Sequence, residues 1–283
     1  MTKRTAAIWA ILVPSGLAII KGIAGFATMS ISILASALDS LMDVCSSIIT
    51  ALAVFAAEKP ADEKHQFGHG KAEEIAGLFQ AVFIGGSASF LVYHALRRIF
   101  KGYFLEAESL GIVVMIIAMI ASIFLSRMLK KVGSKTESSA VSASALNFSA
   151  DVWTNAGVLI ALGLERWGAV KNADPIISIL ISLYIVISAI RIGWDAISQL
   201  MDKTLPKEML QILDRCIRSH SQNIKGYHNL RTRHVGPEKY IEFHLEIESS
   251  LSFKDAHELT EALIADIQQV IPNSKVMVHP DPF

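Results

Sequence analysis

Residues 31–57 read ISILASALDSLMDVCSSIITALAVFAA, an apolar run long enough to cross a bilayer that nevertheless carries Asp39 and Asp43. Four residues advance a helix by about one turn, so the two carboxylates share a face and can converge on one small object. A carboxylate in hydrocarbon costs about 3 kcal/mol or more unless protons, partners or a bound cation compensate it. A second stretch, 139–164, repeats the device with Asn147 and Asp151, and Asn155 extends the same polar stripe by another turn. Asn147 alone would pass for interhelical glue. With Asp39, Asp43 and Asp151 it reads as a cation site between helices. Cys45 follows Asp43 by two residues, about 200° around the helix, so it is expected to face away from the site and to serve packing.

Working outward, hydropathy predicts six spans, at 7–28, 31–57, 75–99, 108–130, 139–164 and 175–200, with breaks at 25–30, 58–74, 101–108, 130–138 and 168–175. An even number of spans puts both ends of the chain on one side. The basic residues Lys3, Arg4, Lys59, Lys64, Lys71, Lys130, Lys131, Lys135, Lys203 and Lys207 share that side, which the positive-inside rule makes cytoplasmic. Arg97, Arg98 and Lys101 fall opposite and are outnumbered. The short basic start, Lys3 and Arg4, precedes an apolar run without a small-residue cleavage site, which predicts a retained first helix.

Composition agrees with a bilayer protein. Of 283 residues 52% are hydrophobic and only 18% charged, and the mean hydropathy is +0.44, too apolar for a soluble domain of this length. The net charge of zero gives no electrostatic argument for a nucleic-acid partner. Two distant cysteines, Cys45 and Cys216, imply no disulfide framework. No nucleophile elbow, metalloprotease His-Glu pair or phosphate loop is present, which argues against a membrane metalloenzyme and against an organic cofactor.

After Leu205-Pro206 charge density rises and the pattern becomes that of a small α+β module. The division expected is therefore a six-span membrane domain over 1–204 and a cytoplasmic domain over 205–283. Lys207 to Ser219 predicts an amphipathic helix with Met209, Leu210, Leu213 and Ile217 inward. Leu230 to Arg233 and Tyr240 to Ile247 predict strands around the turn at residues 234–237. Ser252 to Ile271 predicts a helix capped by Ser252 with Asp255 in its first turn, and Lys275 to His279 a closing strand. A module this small gains from dimerisation or metal.

Five strings carry a resemblance: SALDSLMD at 36–43, HQFGHGKAE at 65–73, SAD at 149–151, LMD at 200–202 and HNLRTR at 228–233. Together they make the chain similar, over nearly its whole length, to the cation diffusion facilitators, homodimeric metal efflux antiporters, and above all to their bacterial iron- and zinc-exporting members. The resemblance implies six transmembrane helices followed by a ferredoxin-like metal-binding domain. It implies a transport site of Asp39, Asp43, Asn147 and Asp151, and a peripheral loop site of Asp62, His65 and His69. A binuclear cytoplasmic site maps onto His228, His244, His257, His279 and Asp281, with Asp281 bridging. Lys71 and Asp202 match an interlocking salt bridge near the dimer axis. His220 and His234 match nothing and read as solvated. The resemblance further implies a bacterial inner membrane, a lipid bilayer around the spans and protons as the counter-ion.

The chain departs from those relatives at two ligands. Asn147 stands where the iron and zinc exporters have His, leaving an all-oxygen set that suits Mn²⁺ or Fe²⁺ better than Zn²⁺, although Zn²⁺ accepts carboxylates. Pro280 replaces a Gln ligand in the cytoplasmic site. The nitrogen-rich cytoplasmic set fits Zn²⁺, in conflict with a manganese reading of the transport site. An amide does not titrate, so proton exchange would rest on Asp39, Asp43 and Asp151. The rival reading is a metal-sensing scaffold that keeps the fold but transports poorly, and the intact carboxylates argue against it.

Overall fold

The computed structural model describes residues 2–28, 31–101, 109–166, 173–220 and 224–283. Six long helices come first: α1 (Lys3–Thr28), α2 (Ile31–Ala57), α3 (Ala72–Lys101), α4 (Ser109–Thr136), α5 (Ser139–Arg166) and α6 (Ala173–Leu200). A three-stranded α+β part follows, with α7 (Lys207–Arg218), β1 (Ile224–Val235), β2 (Glu238–Ile247), α8 (Phe253–Val270) and β3 (Ser274–Pro282). The expected break at 25–30 begins inside α1, which runs to Thr28, with residues 29 and 30 outside the described residues, and the breaks at 101–108 and 168–175 lie largely outside them.

The chain divides into two compact units, one of residues 1–59 and 72–197, the other of residues 60–71 and 198–283. Five segments among the described residues are long and apolar enough to cross a membrane: Lys3–Ala27, Ser36–Ala57, Ala72–Arg97, Ile112–Thr136 and Ile176–Leu200. The remaining long helix, α5, is Ser-rich and bears Asn147, Asp151 and Asn155. The helix interfaces use small side chains, Ala6, Ala10, Ala76, Ala140 and Ala145, around Val54, Leu125, Leu129 and Phe148. Small residues let backbones approach where lipid supplies no hydrophobic drive between helices. Ile19, Ile23, Phe26, Val82, Phe90, Ile120, Leu183, Ile190 and Trp194 point outward.

Several ends differ from expectation, α1 for one starting at Lys3 and not 7. Helix α4 does not stop near residue 130 but continues to Thr136, because Leu125, Leu129 and Val132, spaced four and three apart, keep one face buried beyond the basic pair Lys130-Lys131. Glu137 then takes a left-handed conformation, φ 50°, and Ser138 caps α5 by accepting from the Val141 N–H at 3.3 Å. Helix α3 begins at Ala72, not 75, with Glu73 and Glu74 in its first turn, where carboxylates favour the helix dipole. Both are buried, and Glu73 pairs with Lys3 at 2.6 Å and accepts from Ser138.

In the second unit β1 and β2 are antiparallel, β2 and β3 parallel, with β2 central. Strand β2 alternates: Ile241, Phe243, Leu245 and Ile247 are buried among Leu205, Leu213, Ile217, Leu263 and Ile267 of the core, while Glu242, His244 and Glu246 take the other face. Ser252 caps α8 as expected, accepting from the Asp255 N–H at 3.2 Å. β1 is three times longer than predicted. Irregularities between Ile224 and Gly226 and between His228 and Arg231, the second at left-handed Asn229, break the alternation that would have betrayed it.

The segment of residues 60–71 folds onto this sheet. A Cβ on Gly70 would stand 2.7 Å from the Val235 carbonyl oxygen and 2.8 Å from the Gly236 nitrogen, so backbone lies against backbone at the β1–β2 turn. Gly236 itself has φ 59°, natural for glycine. Phe67 meets Tyr240 edge-on at 5.5 Å, and the Arg233 guanidinium lies 4.8 Å from the Phe67 ring centre.

Candidate metal sites

Asn147, 6% exposed on α5, donates from Nδ2 to Asp43 Oδ1 on α2 at 2.9 Å. That bond joins the two polar stripes. Asp43 and Asp151 are half-buried and Asp39 is exposed from its helix. The three carboxylates act on one another electrostatically but do not close into one tight ligand cluster. Asn155 spends its amide on the Asp151 carbonyl of its own helix, at 2.8 Å, and so is not part of the gathering. Cys45 lies exposed on α2 and does not pack into a core.

One neighbour escaped the sequence reading. Lys21 on α1 is 7% exposed and donates to Ser40 Oγ at 2.8 Å and to the Ser36 carbonyl at 3.3 Å, both on α2. The signal was available: an ionisable residue inside an apolar span is a functional candidate by default.

The loop residues Asp62, His65 and His69 lie together, their candidate ligand atoms within 4.8 Å of one another. Asp62 Oδ1 accepts the backbone N–H groups of His65 at 2.7 Å and Lys64 at 2.9 Å, a turn that aims the carboxylate. The His65 N–H leads in holding the Asp62 carboxyl below the usual aspartate range, so it is an anion at neutral pH. Asp62 Oδ2 stands 3.3 Å from His69 Nε2, and the two rings are 4.5 Å apart. His69 Nδ1 is buried with no hydrogen-bond partner among the described residues.

On the sheet, register aligns His228 of β1, His244 of β2 and His279 of β3 in one row. Asp281 reaches all three: Oδ2 is 2.8 Å from His244 Nδ1 and 3.3 Å from His228 Nε2, and Oδ1 is 3.2 Å from His279 Nε2. His244 leads in holding the Asp281 carboxyl below its usual range. His228, His244 and Asp281 form a group of metal-binding geometry. Glu246, aligned with Asp281 across β2 and β3, adds a carboxylate 3.3 Å from His228 Nδ1. Two-residue spacing from His244 was its signal. Pro280 is opposite Leu245. His257 is not brought into this group: it stacks on Phe253 of its own helix, ring centres 6.4 Å apart. His220 is not simply solvated. It pairs with Asp266 at 3.0 Å, and His234 is half-buried and partnered as well.

Lys71 Nζ reaches Asp202 at 2.9 Å and the Leu200 carbonyl at 3.2 Å, and Arg233 reaches the same carboxylate at 3.2 Å. The bond from Lys71 leads in lowering the Asp202 pKa below its ordinary value. Asp202 sits at φ 60°, where an aspartate is tolerated better than most residues.

Residues 7–201 match the cation efflux transmembrane domain, and residues 205–283 match the cytoplasmic domain of cation efflux proteins. A cation-efflux pump FieF of Klebsiella pneumoniae is 39% identical over 277 residues, covering 98% of this chain and 92% of the relative. The FieF pump of Salmonella newport is 40% identical over 278 residues, with the same coverage. Among solved structures, the metal-bound C-terminal domain of the CzcD transporter from Thermotoga maritima is 27% identical, covers 28% of this chain and 94% of its own, and has a TM-score of 0.25. With both halves matched in order, the chain belongs to the cation efflux family, the cation diffusion facilitators, which are multi-pass membrane transporters and not enzymes.

Proposed function

We propose that this protein exports a divalent transition metal by proton antiport, with Mn²⁺ or Fe²⁺ favoured over Zn²⁺, through Asp39, Asp43, Asn147 and Asp151. The observation that carries the reading is the Asn147 to Asp43 bond between α2 and α5. With Nδ2 on Asp43, the amide oxygen is the atom left for a cation, and the ligand set is all oxygen. Such a set suits harder ions, whereas an imidazole in the same place would favour Zn²⁺. Metal needs the carboxylates deprotonated, so loading from one side releases protons and protonation from the other expels metal.

On this reading Asp62, His65 and His69, and the His228, His244, His279 and Asp281 group, bind metal in the cytoplasm and report its level. Fixed anions at Asp62 and Asp281 and the partnerless His69 Nδ1 support that role. A homodimer is supported by the cytoplasmic-domain match and by Phe253, Met277 and Phe283, large apolar side chains left exposed. Both termini lie in the cytoplasm of a bacterial inner membrane, as the basic residues and the bacterial relatives suggest.

The deciding experiment compares Mn²⁺, Fe²⁺, Co²⁺ and Zn²⁺ flux in vesicles carrying wild type and Asn147→His, with and without a pH gradient. Wild type should prefer Mn²⁺ or Fe²⁺, and the variant should shift toward Zn²⁺. An unchanged selectivity series removes Asn147 from metal choice, and flux indifferent to the pH gradient removes proton coupling.

A further inference from the structure

An ammonium group inside a membrane helix is about as costly as a carboxylate, so a lysine retained there needs a compensating partner. Lys21 is such a group, about two turns before the C-terminal end of α1 and 7% exposed. Its hydrogen bonds go to Ser36 and Ser40, one turn apart on α2, and not to a carboxylate. Ser36 and Ser40 form a stripe displaced by one residue, about 100°, from that of Asp39 and Asp43. The ammonium is thereby held on the stretch of α2 that carries Asp39 and Asp43.

We propose that Lys21 is the resident counter-charge of the transport site: a fixed cation that offsets the carboxylates when the site is empty and weakens metal binding enough to permit release. This rests on the transport site proposed above. A divalent ion among three carboxylates with no opposing charge would be held tightly, and a transporter must let go. The serine stripe serves to keep the ammonium from collapsing onto Asp39 or Asp43, where it would exclude the metal outright. Lys21 is a positioning residue for charge, outside the set of metal ligands.

The test uses the full-length protein in detergent and in vesicles, with Mn²⁺ and Zn²⁺ as probes. Lys21→Gln keeps a donor for Ser40 and removes the charge. It should tighten the Asp43-dependent site by about tenfold, judged by free Mn²⁺ in EPR or by Zn²⁺ competition, and lower both KM and maximal flux. Lys21→Arg should stay near wild type, whereas Ser40→Ala, which removes the hydroxyl that holds the ammonium back from the carboxylates, should weaken metal binding. If Lys21→Gln does not accumulate as a folded protein, Lys21→Met is read in the same way. Unchanged or weaker metal affinity in the charge-removing variant overturns the proposal and leaves Lys21 a structural tie between α1 and α2. Asp43→Ala separates the two hypotheses. If it loses no binding site for either metal, the transport-site reading fails first. If it loses one while Lys21→Gln binds as wild type, only the counter-charge fails.

Discussion

Asn147 and Gly70 show two ways in which a single position is fixed by its neighbours. Asn147 is set by chemistry: its amide holds Asp43 across two helices. Asn147→Ala would leave Asp43 without that donor, at a cost of about 1–3 kcal/mol if nothing replaces it. The expected outcome is weaker metal binding with the fold intact, measured by metal titration and by elution of the purified variant. Gly70 is set by space, since any Cβ there meets the Val235 carbonyl and the Gly236 nitrogen. Gly70→Ala should destabilise the second unit by about 1–3 kcal/mol. A lower melting temperature in the absence of metal would show it, and an unchanged one would mean that the turn yields. The sequence displayed Asn147 because polarity in an apolar run is conspicuous. It displayed Gly70 only as part of a motif, because the contact that requires it lies 165 residues away, at Val235.

At the scale of elements, helices were more legible than strands. The apolar runs and the Ser252 cap are local properties, and α2 and α8 were located to within a residue or two of their ends. In the sequence Lys130-Lys131 looks like the end of α4, whereas burial of Leu129 and Val132 by other helices carries the backbone onward. Leu129→Ala should therefore destabilise the helical unit by about 2–5 kcal/mol, visible as a lower aggregation temperature in detergent. An equal change at Leu183, which faces outward, should have little effect. β1 was hidden because its bulges spoil a period of two. The row of His228, His244 and His279 is a product of strand register, and separations along the chain do not reveal register. The family resemblance implies those histidines, but only the sheet shows that Glu246 meets His228 on the ring nitrogen opposite the one facing Asp281, while His257 stacks on Phe253 instead.

For the molecule as a whole, the two units are not consecutive pieces of chain. The segment 60–71 leaves the helical unit, folds with residues 198–283 and returns. The carboxylate of Asp202 holds part of this segment through Lys71, and its folded pKa lies below the ordinary value. A depressed carboxylate contributes stability above its unfolded titration near pH 4 and loses it as pH falls through the folded value. The gap in melting temperature between wild type and Asp202→Asn should therefore hold steady from about pH 8 to 5 and shrink in stronger acid. A gap that widens on acidification would contradict the assignment. High salt should narrow it too, since both partners are partly exposed.

That interleaving also changes what a protease would do. In most proteins with an appended domain, one cut in the connecting segment sets the domain free. Here a cut between Asp202 and Lys207 severs only one of the chain's passages into the second unit. The sheet would still grip residues 60–71 through Gly70, Phe67 and the Arg233 guanidinium, and those residues run on covalently into α2 and α3. A nicked protein should sediment with the membrane in one piece and come apart only on denaturation.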